Sequence, residues 1–492
     1  MKKNIGRRDF LGQASCAGLG YLTFKNALIN LKALSSAAIS NSAVYDNYND
    51  YKAIVCILLA GGNDSFNMLI PTDTSRYNQY STVRSHLALP LSSLNATQLQ
   101  YNGSNINYAV HPSMTRARDL FNSKRLSLIT NVGTLTHPNT TKPEIESGNS
   151  PLGLFSHSDQ IEQWQTGLPE ERGAKGWAGR IADLISDCNS NQNISMNISL
   201  SGSNVFQNGN TTVEYAVDPY YGAVGLDGYN PDAMYLTEQI RTQAVDSLLG
   251  QTYQDIFEKT FMNVVRNARD GYIQFNEAME NSLTFAQEVF PDNYLGNALE
   301  MIARTMTVRN DLGFKRQVFF ITVGGWDHHD GLLNNQQAML GMVSNALYSF
   351  QESLKATFQY QDSNGATQNH QGVNLENNVL TMMISEFGRT LRPNQDGTDH
   401  AWGGNTLVMG GPNLIDGGKV FGSFPSMVLG NQNNPIELDY SGRFIPTTST
   451  DEYFGEVAQW FGVPSTDMSV IFPNINNFYN PVTNSHPIGF IK

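Results

Sequence analysis

The chain has 492 residues, with 31 Lys/Arg against 44 Asp/Glu and a net charge of −13 when histidine is neutral. So acidic a chain is repelled by the phosphates of nucleic acid and by anionic lipid, which argues against both as partners. Its length and its 40% hydrophobic content suffice for one large α/β domain or two smaller ones.

The first segment reads as a leader. Met1-Lys2-Lys3 and Gly6-Arg7-Arg8-Asp9-Phe10-Leu11-Gly12 precede a weakly apolar stretch at 14–24 and small residues at 33–43, the order of a removable secretory signal. The arginine pair with Phe10-Leu11 close behind resembles the twin-arginine consensus, an address for proteins exported in the folded state. The apolar run is too short and too rich in glycine to span a bilayer, which needs about 20 apolar residues. Gln13, where a lipobox wants an apolar residue, argues against lipidation at Cys16. The expectation is a signal at 1–41, cut between Ser35 and Asn41, and a linker at 42–50. One domain would follow at 51–492, in a periplasmic or secreted protein that met the twin-arginine translocase. Residues 1–41 carry six Lys/Arg and one Asp, so the remainder stands at −18. Only Cys56 and Cys188 lie beyond the leader, and they allow at most one disulfide.

Short apolar runs follow at 53–60, 126–130, 317–323, 379–384 and 407–409, each ending in Gly or polar residues. Strands buried on both faces and alternating with helices predict a mostly parallel sheet, whose ligands gather beyond the carboxyl ends of its strands. Apolar spacing predicts helices over 236–267 and 274–289. The Asn/Gly/Ser/Thr-rich stretch 189–229 reads as strands with long turns, a cap or insertion beside the sheet, and 360–376 as a surface excursion. No later segment is apolar for long enough to cross a membrane, and no repeat of 20–50 residues is present.

The strand ends carry the chemistry. Asp64 closes the first run after Gly61-Gly62-Asn63, and Asp327-His328-His329 closes another after Gly324-Gly325-Trp326. Glu386 follows Met382-Met383-Ile384, with Asp399-His400 one loop further on. Three of the nine histidines thus fall at or near strand ends beside carboxylates. Carboxylate and imidazole are ligands for hard or borderline divalent ions, and the glycines let the backbone bend so that they converge. Each residue also has a plainer reading: Asp64 as a helix cap, 326–329 as a packed turn, Glu386 as the ion-pair partner of Arg389, His111 as a structural histidine.

Gly61-Gly62-Asn63-Asp64, Gly325-Trp326-Asp327-His328-His329, Ser385-Glu386-Phe387-Gly388-Arg389-Thr390 and Gly397-Thr398-Asp399-His400 resemble the hallmarks of the bacterial family called domain of unknown function 1501. Val110-His111-Pro112, Ser156-His157, Trp164-Gln165-Thr166-Gly167 and Asp451-Glu452-Tyr453 add to the resemblance, which runs from about residue 51 to the end. That family is similar in fold to the alkaline phosphatase and sulfatase superfamily. The resemblance implies a three-layer α/β/α sandwich with one or two metals at the carboxyl edge of its sheet. It also implies a ligand set drawn from Asp64, Asp327, His329 (or His328), Glu386 and His400, to which the strand-end pattern adds Asp399, with the metal (Zn, Mn, Ca or Fe) left open. There are two departures: Phe387 stands where phosphatases have a ligating histidine, and His157, flanked by Ser156 and Ser158, fills the nucleophile slot. The implied activity is a metal-dependent hydrolase or transferase acting on a small anionic phosphate or sulfate ester, with Arg389 gripping the anion. The alternative is a secreted binding or assembly protein that keeps the fold without turnover.

Overall fold

β1 (Lys52–Leu59) lies in the middle of a ten-stranded sheet, and every residue of it after Lys52 is buried. A computed structural model describes residues 48–430 and 434–492. The leader and most of the linker lie outside the described residues. Asp50–Lys492 forms one compact unit.

The other strands are β2 (Leu126–Gly133), β3 (Asn197–Ser199), β4 (Tyr215–Asp218), β5 (Gly222–Ala223), β6 (Arg316–Val323), β7 (Val379–Ile384), β8 (Gly404–Met409), β9 (Val420–Phe421) and β10 (Thr448–Ser449). Their order is β9-β2-β8-β7-β1-β6-β3-β4-β5, with β10 also on β2. All run the same way except β8, antiparallel to β7 and β2, and β5, antiparallel to β4. β1 and β7 have nearly unbroken apolar sequences because helices cover both faces of the sheet, while β2 is buried throughout but carries Ser127, Thr130 and Asn131.

The helices used below are α1 (Ser65–Met68), α2 (Thr74–Arg84), α3 (Thr115–Asn122), α4 (His157–Thr166), α5 (Trp177–Ile185), α6 (Leu236–Leu249), α7 (Ile256–Met279), α8 (Tyr294–Thr307), α9 (Leu332–Ser353) and α10 (Thr450–Phe461). α9 packs on α3 and α8. Trp164 of α4 and Trp177 of α5 meet Phe454 of α10, with ring centroids 5.8 and 4.9 Å apart. The result is the α/β/α sandwich that the alternation of strands and helices predicts.

Several local expectations are corrected. The helix expected over 236–267 is two helices. Gly250 ends α6, and Asp255 starts α7 by accepting from the backbone N–H groups of Phe257 and Glu258 at 2.8 and 3.1 Å. The helix expected over 274–289 stops at Met279, and α8 restarts beyond Pro291 under an Asn293 cap. The 189–229 stretch contributes β3, β4 and β5 to the edge of the central sheet. The 360–376 excursion forms most of a hairpin, Thr357–Gln361 against Thr367–Gln371. Cys56 and Cys188 are both buried and free, so they form no disulfide. Among the described residues no helix is long and apolar enough to cross a membrane.

Candidate metal centre at the strand ends

β1, β6 and β7 are parallel, so the loops after them open on one edge of the sheet. β8 runs the other way, and the loop that precedes it, with His400, reaches that same edge. α4 begins there with His157.

Asp327 is the hub. The turn carrying it packs against Gly61 (φ +126°), where a Cβ would lie 2.4 Å from the Asp327 nitrogen. Only glycine fits that approach. The fully buried Arg389 donates from Nη1 to Asp327 Oδ1 at 2.6 Å and to the Gly61 carbonyl at 3.2 Å, and from Nη2 to the Thr398 carbonyl. Burial works to raise the Asp327 pKa, but the Arg389 hydrogen bond and charge, helped by His329 and His157, outweigh it and hold the carboxyl below its usual range.

Three histidines face this carboxylate, each with its other nitrogen near an oxygen acceptor. His157 Nδ1 lies 2.8 Å from Glu386 Oε1, and the buried Glu386 also accepts from the Gly61 N–H at 2.7 Å. His400 Nδ1 lies 2.9 Å from the Phe155 carbonyl. His329 Nδ1 stands 3.4 Å from Asp399 Oδ1, which Asn394 holds at 2.5 Å. Carbonyl and carboxylate oxygens only accept, so for His157 and His400 these partners assign the ring proton to Nδ1 and leave Nε2 with an open lone pair, whereas His329 Nδ1 also has the Asn394 amide nitrogen, a donor, at 3.4 Å. Nε2 of His157 is 3.5 Å from Asp327 Oδ2, while Nε2 of His329 and His400 are 3.1 and 3.3 Å from Oδ1 and 3.0 Å from each other.

Acceptors turned on acceptors at these spacings have a simple chemical meaning. Ligand atoms around a tetrahedral ion with bonds of about 2.0–2.1 Å lie about 3.3 Å apart. The ligand atoms of His157, Asp327 and His400 all fall within 4.8 Å of one another and form a group that could hold a metal ion. His329 joins on the Asp327–His400 side. Burial, reinforced by the Arg389 and His157 charges against the Phe155 and Asp327 hydrogen bonds, lowers the His400 pKa and favours the neutral ring a ligand must present. Phe155, which orients His400, has φ +72°, an uncommon conformation for a bulky residue. Arg443 braces it, stacked 4.8 Å from its ring and donating to the His400 carbonyl at 2.6 Å.

Several sequence-derived assignments shift. Asp64 is buried and ion-paired with the equally buried Arg84, outside the cluster, and it makes no side-chain cap to α1. Of the neighbouring histidines it is His329 that faces Asp327, while His328 is buried. Glu386 and Asp399 stand behind His157 and His329. Arg389 pairs with Asp327 in place of Glu386, and its donors are spent on the protein rather than open to an anion. His157 enters the ligand group. Ser156 and Ser158 lie at the outer start of α4 with their Oγ atoms 3.2 Å apart. The Phe155 carbonyl and Asn394 carry no mark in the sequence, because a backbone acceptor can come from any residue type.

A mostly parallel α/β/α sandwich with one carboxylate and three imidazoles gathered at its strand ends defines an α/β protein with a candidate metal centre. Residues 51–439 match the family described as Protein of unknown function (DUF1501), and the chain belongs to that family. No curated protein matches the chain.

Proposed function

We propose that this is an exported protein holding one divalent metal ion on His157, Asp327 and His400, with His329 beside them, and that it hydrolyses or transfers a phosphate or sulfate ester. The observation that carries the reading is the convergence of three imidazole Nε2 atoms on one carboxylate, with the His157 and His400 rings tethered at Nδ1. Such tethers orient metal ligands and raise their basicity. An imidazole-rich set favours zinc, iron or manganese over calcium.

The ion would polarise an ester oxygen and stabilise charge developing on it. The chain's own residues prepare the place: Arg389 fixes Asp327 and Glu386 fixes His157, and Ser156 and Ser158, which flank His157 in the chain, are the nucleophile candidates. Export through the twin-arginine route is part of the proposal. It rests on the Arg7-Arg8 leader and suits a centre assembled only in the folded chain. One observation favours a second reading, a secreted binding or assembly protein. Arg389 is buried and committed, and so offers no guanidinium to an anionic substrate.

Elemental analysis of the purified folded protein tests the centre. The expected result is about one divalent ion per chain, lost in His157→Ala, Asp327→Asn and His400→Ala and kept in Ser156→Ala and Ser158→Ala. A metal-free protein whose stability ignores both chelator and added metal would sink the proposal. Given bound metal, turnover of aryl phosphates or sulfates that Ser156→Ala or Ser158→Ala abolishes supports the enzyme. Metal without turnover on such a panel supports the binding protein.

A further inference from the structure

α6 and α7 turn apolar faces to solvent. α7 has 24 residues, yet its buried residues are Gly271, Phe275 and Ala278, all in its C-terminal half. α6 buries only Thr242 and Leu249. Leu236, Ile240 and Leu248 recur along one side of α6 at multiples of four residues, and Phe257, Phe261 and Val264 along one side of α7 at spacings of four and three. Each is between 51% and 70% exposed. These spacings place each trio in one stripe on its helix.

The area at stake is that of an interface. Taking roughly 150–200 Å² for a fully exposed side chain of this size, the six present on the order of 600 Å² of apolar surface. Summed over the two stripes, that equals the upper end for the largest apolar patch of a typical monomer. A standard interface covers about 800 Å² per partner, a little over half of it apolar, so the stripes alone supply the apolar share. Charge argues against a membrane. Residues 226–270 contain seven Asp/Glu and four Lys/Arg, the opposite of a helix that lies on anionic lipid.

We infer that the α6–α7 hairpin is a homodimerisation surface on which two copies of this chain meet about a two-fold axis, stripe against stripe, as a four-helix bundle. A two-fold places the same patch on both sides, and two amphipathic hairpins bury both stripes in this way. This does not depend on the metal centre.

Sedimentation equilibrium of the purified full chain between about 1 and 50 μM tests it. The expected mass is twice the chain's 54.4 kDa, falling to a single chain in Ile240→Asp/Phe261→Asp with circular dichroism and metal content unchanged. Should the double variant fail to fold, Val264→Glu alone, at a position 62% exposed, gives the same reading. A wild-type monomer at 50 μM, or a dimer that these charges leave intact, overturns the inference. A monomer that floats with zwitterionic vesicles overturns it in favour of a lipid surface.

Discussion

Asp64 and Arg84 form an ion pair with no solvent exposure on either side chain. Arg84 uses its remaining donors on Asn67 Oδ1 and on the carbonyls of Thr390 and Leu391, at 3.1 to 3.2 Å. It thereby ties α2 to the loop after β7. Arg84→Met strands a buried carboxylate, and urea unfolding should show a loss of about 3–5 kcal/mol, partly recovered by adding Asp64→Asn. Metal content per folded chain should not change, because Asp64 lies outside the ligand group; loss of the ion would put Asp64 back at the centre. His111 gives a pH-dependent counterpart. Burial, opposed by the Asp64 charge, pulls its pKa down to about 4. The unfolded chain therefore takes up this proton as the pH falls below about 6.5 while the folded chain does not. The contribution is fully present above pH 6.5 and declines toward pH 4, by at most about 1.4 kcal/mol per pH unit. His111→Asn should flatten that slope between pH 7 and 5 in urea titrations, and an unchanged slope would assign it elsewhere. The sequence marks Asp64 and His111 as unusual, but nothing in their spacing names Arg84 as the partner. Nor could it choose between His328 and His329, because the choice depends on which way one turn faces after packing on Gly61.

Strands and loops set the geometry of the centre, and here the sequence was more readable. A strand covered on both faces is mostly apolar, so β1 and β7 stand out in any reading, as do the apolar stretches within β2 and β6. The reversed direction of β8 is written only in its pairing, yet it brings His400 to the carboxyl edge. The break between α6 and α7 is hidden in the sequence because apolar spacing continues across Gly250. The Gly61 turn is the joint on which the edge depends. Gly61→Ala would force an L residue into a positive φ with its Cβ against the backbone of Trp326 and Asp327. The expected cost is at least about 2 kcal/mol in thermal or urea unfolding, with loss of the bound ion. Gly324→Ala is the control, since a Cβ there meets nothing within 4 Å, and it should leave both unchanged.

At the scale of the whole molecule, the candidate ligands come from positions 157, 327, 329 and 400. They meet only when both halves of the sheet have closed, which fits the proposed export of a folded, loaded protein. Replacing Arg7 and Arg8 by lysine should leave the precursor in the cytoplasm in cell fractionation. Unimpaired export would point to another route. The same topology bears on synthesis. β1 is among the first structured segments to leave the ribosome, yet its neighbour β6 begins with Arg316, which pairs with Lys52 across 264 residues, and β7 comes later still. At roughly 5–20 residues per second, the most apolar strand of the sheet waits about 13–50 s for its first partner. During that interval it is an unpaired, aggregation-prone edge, so the nascent chain depends on being shielded until its second half arrives.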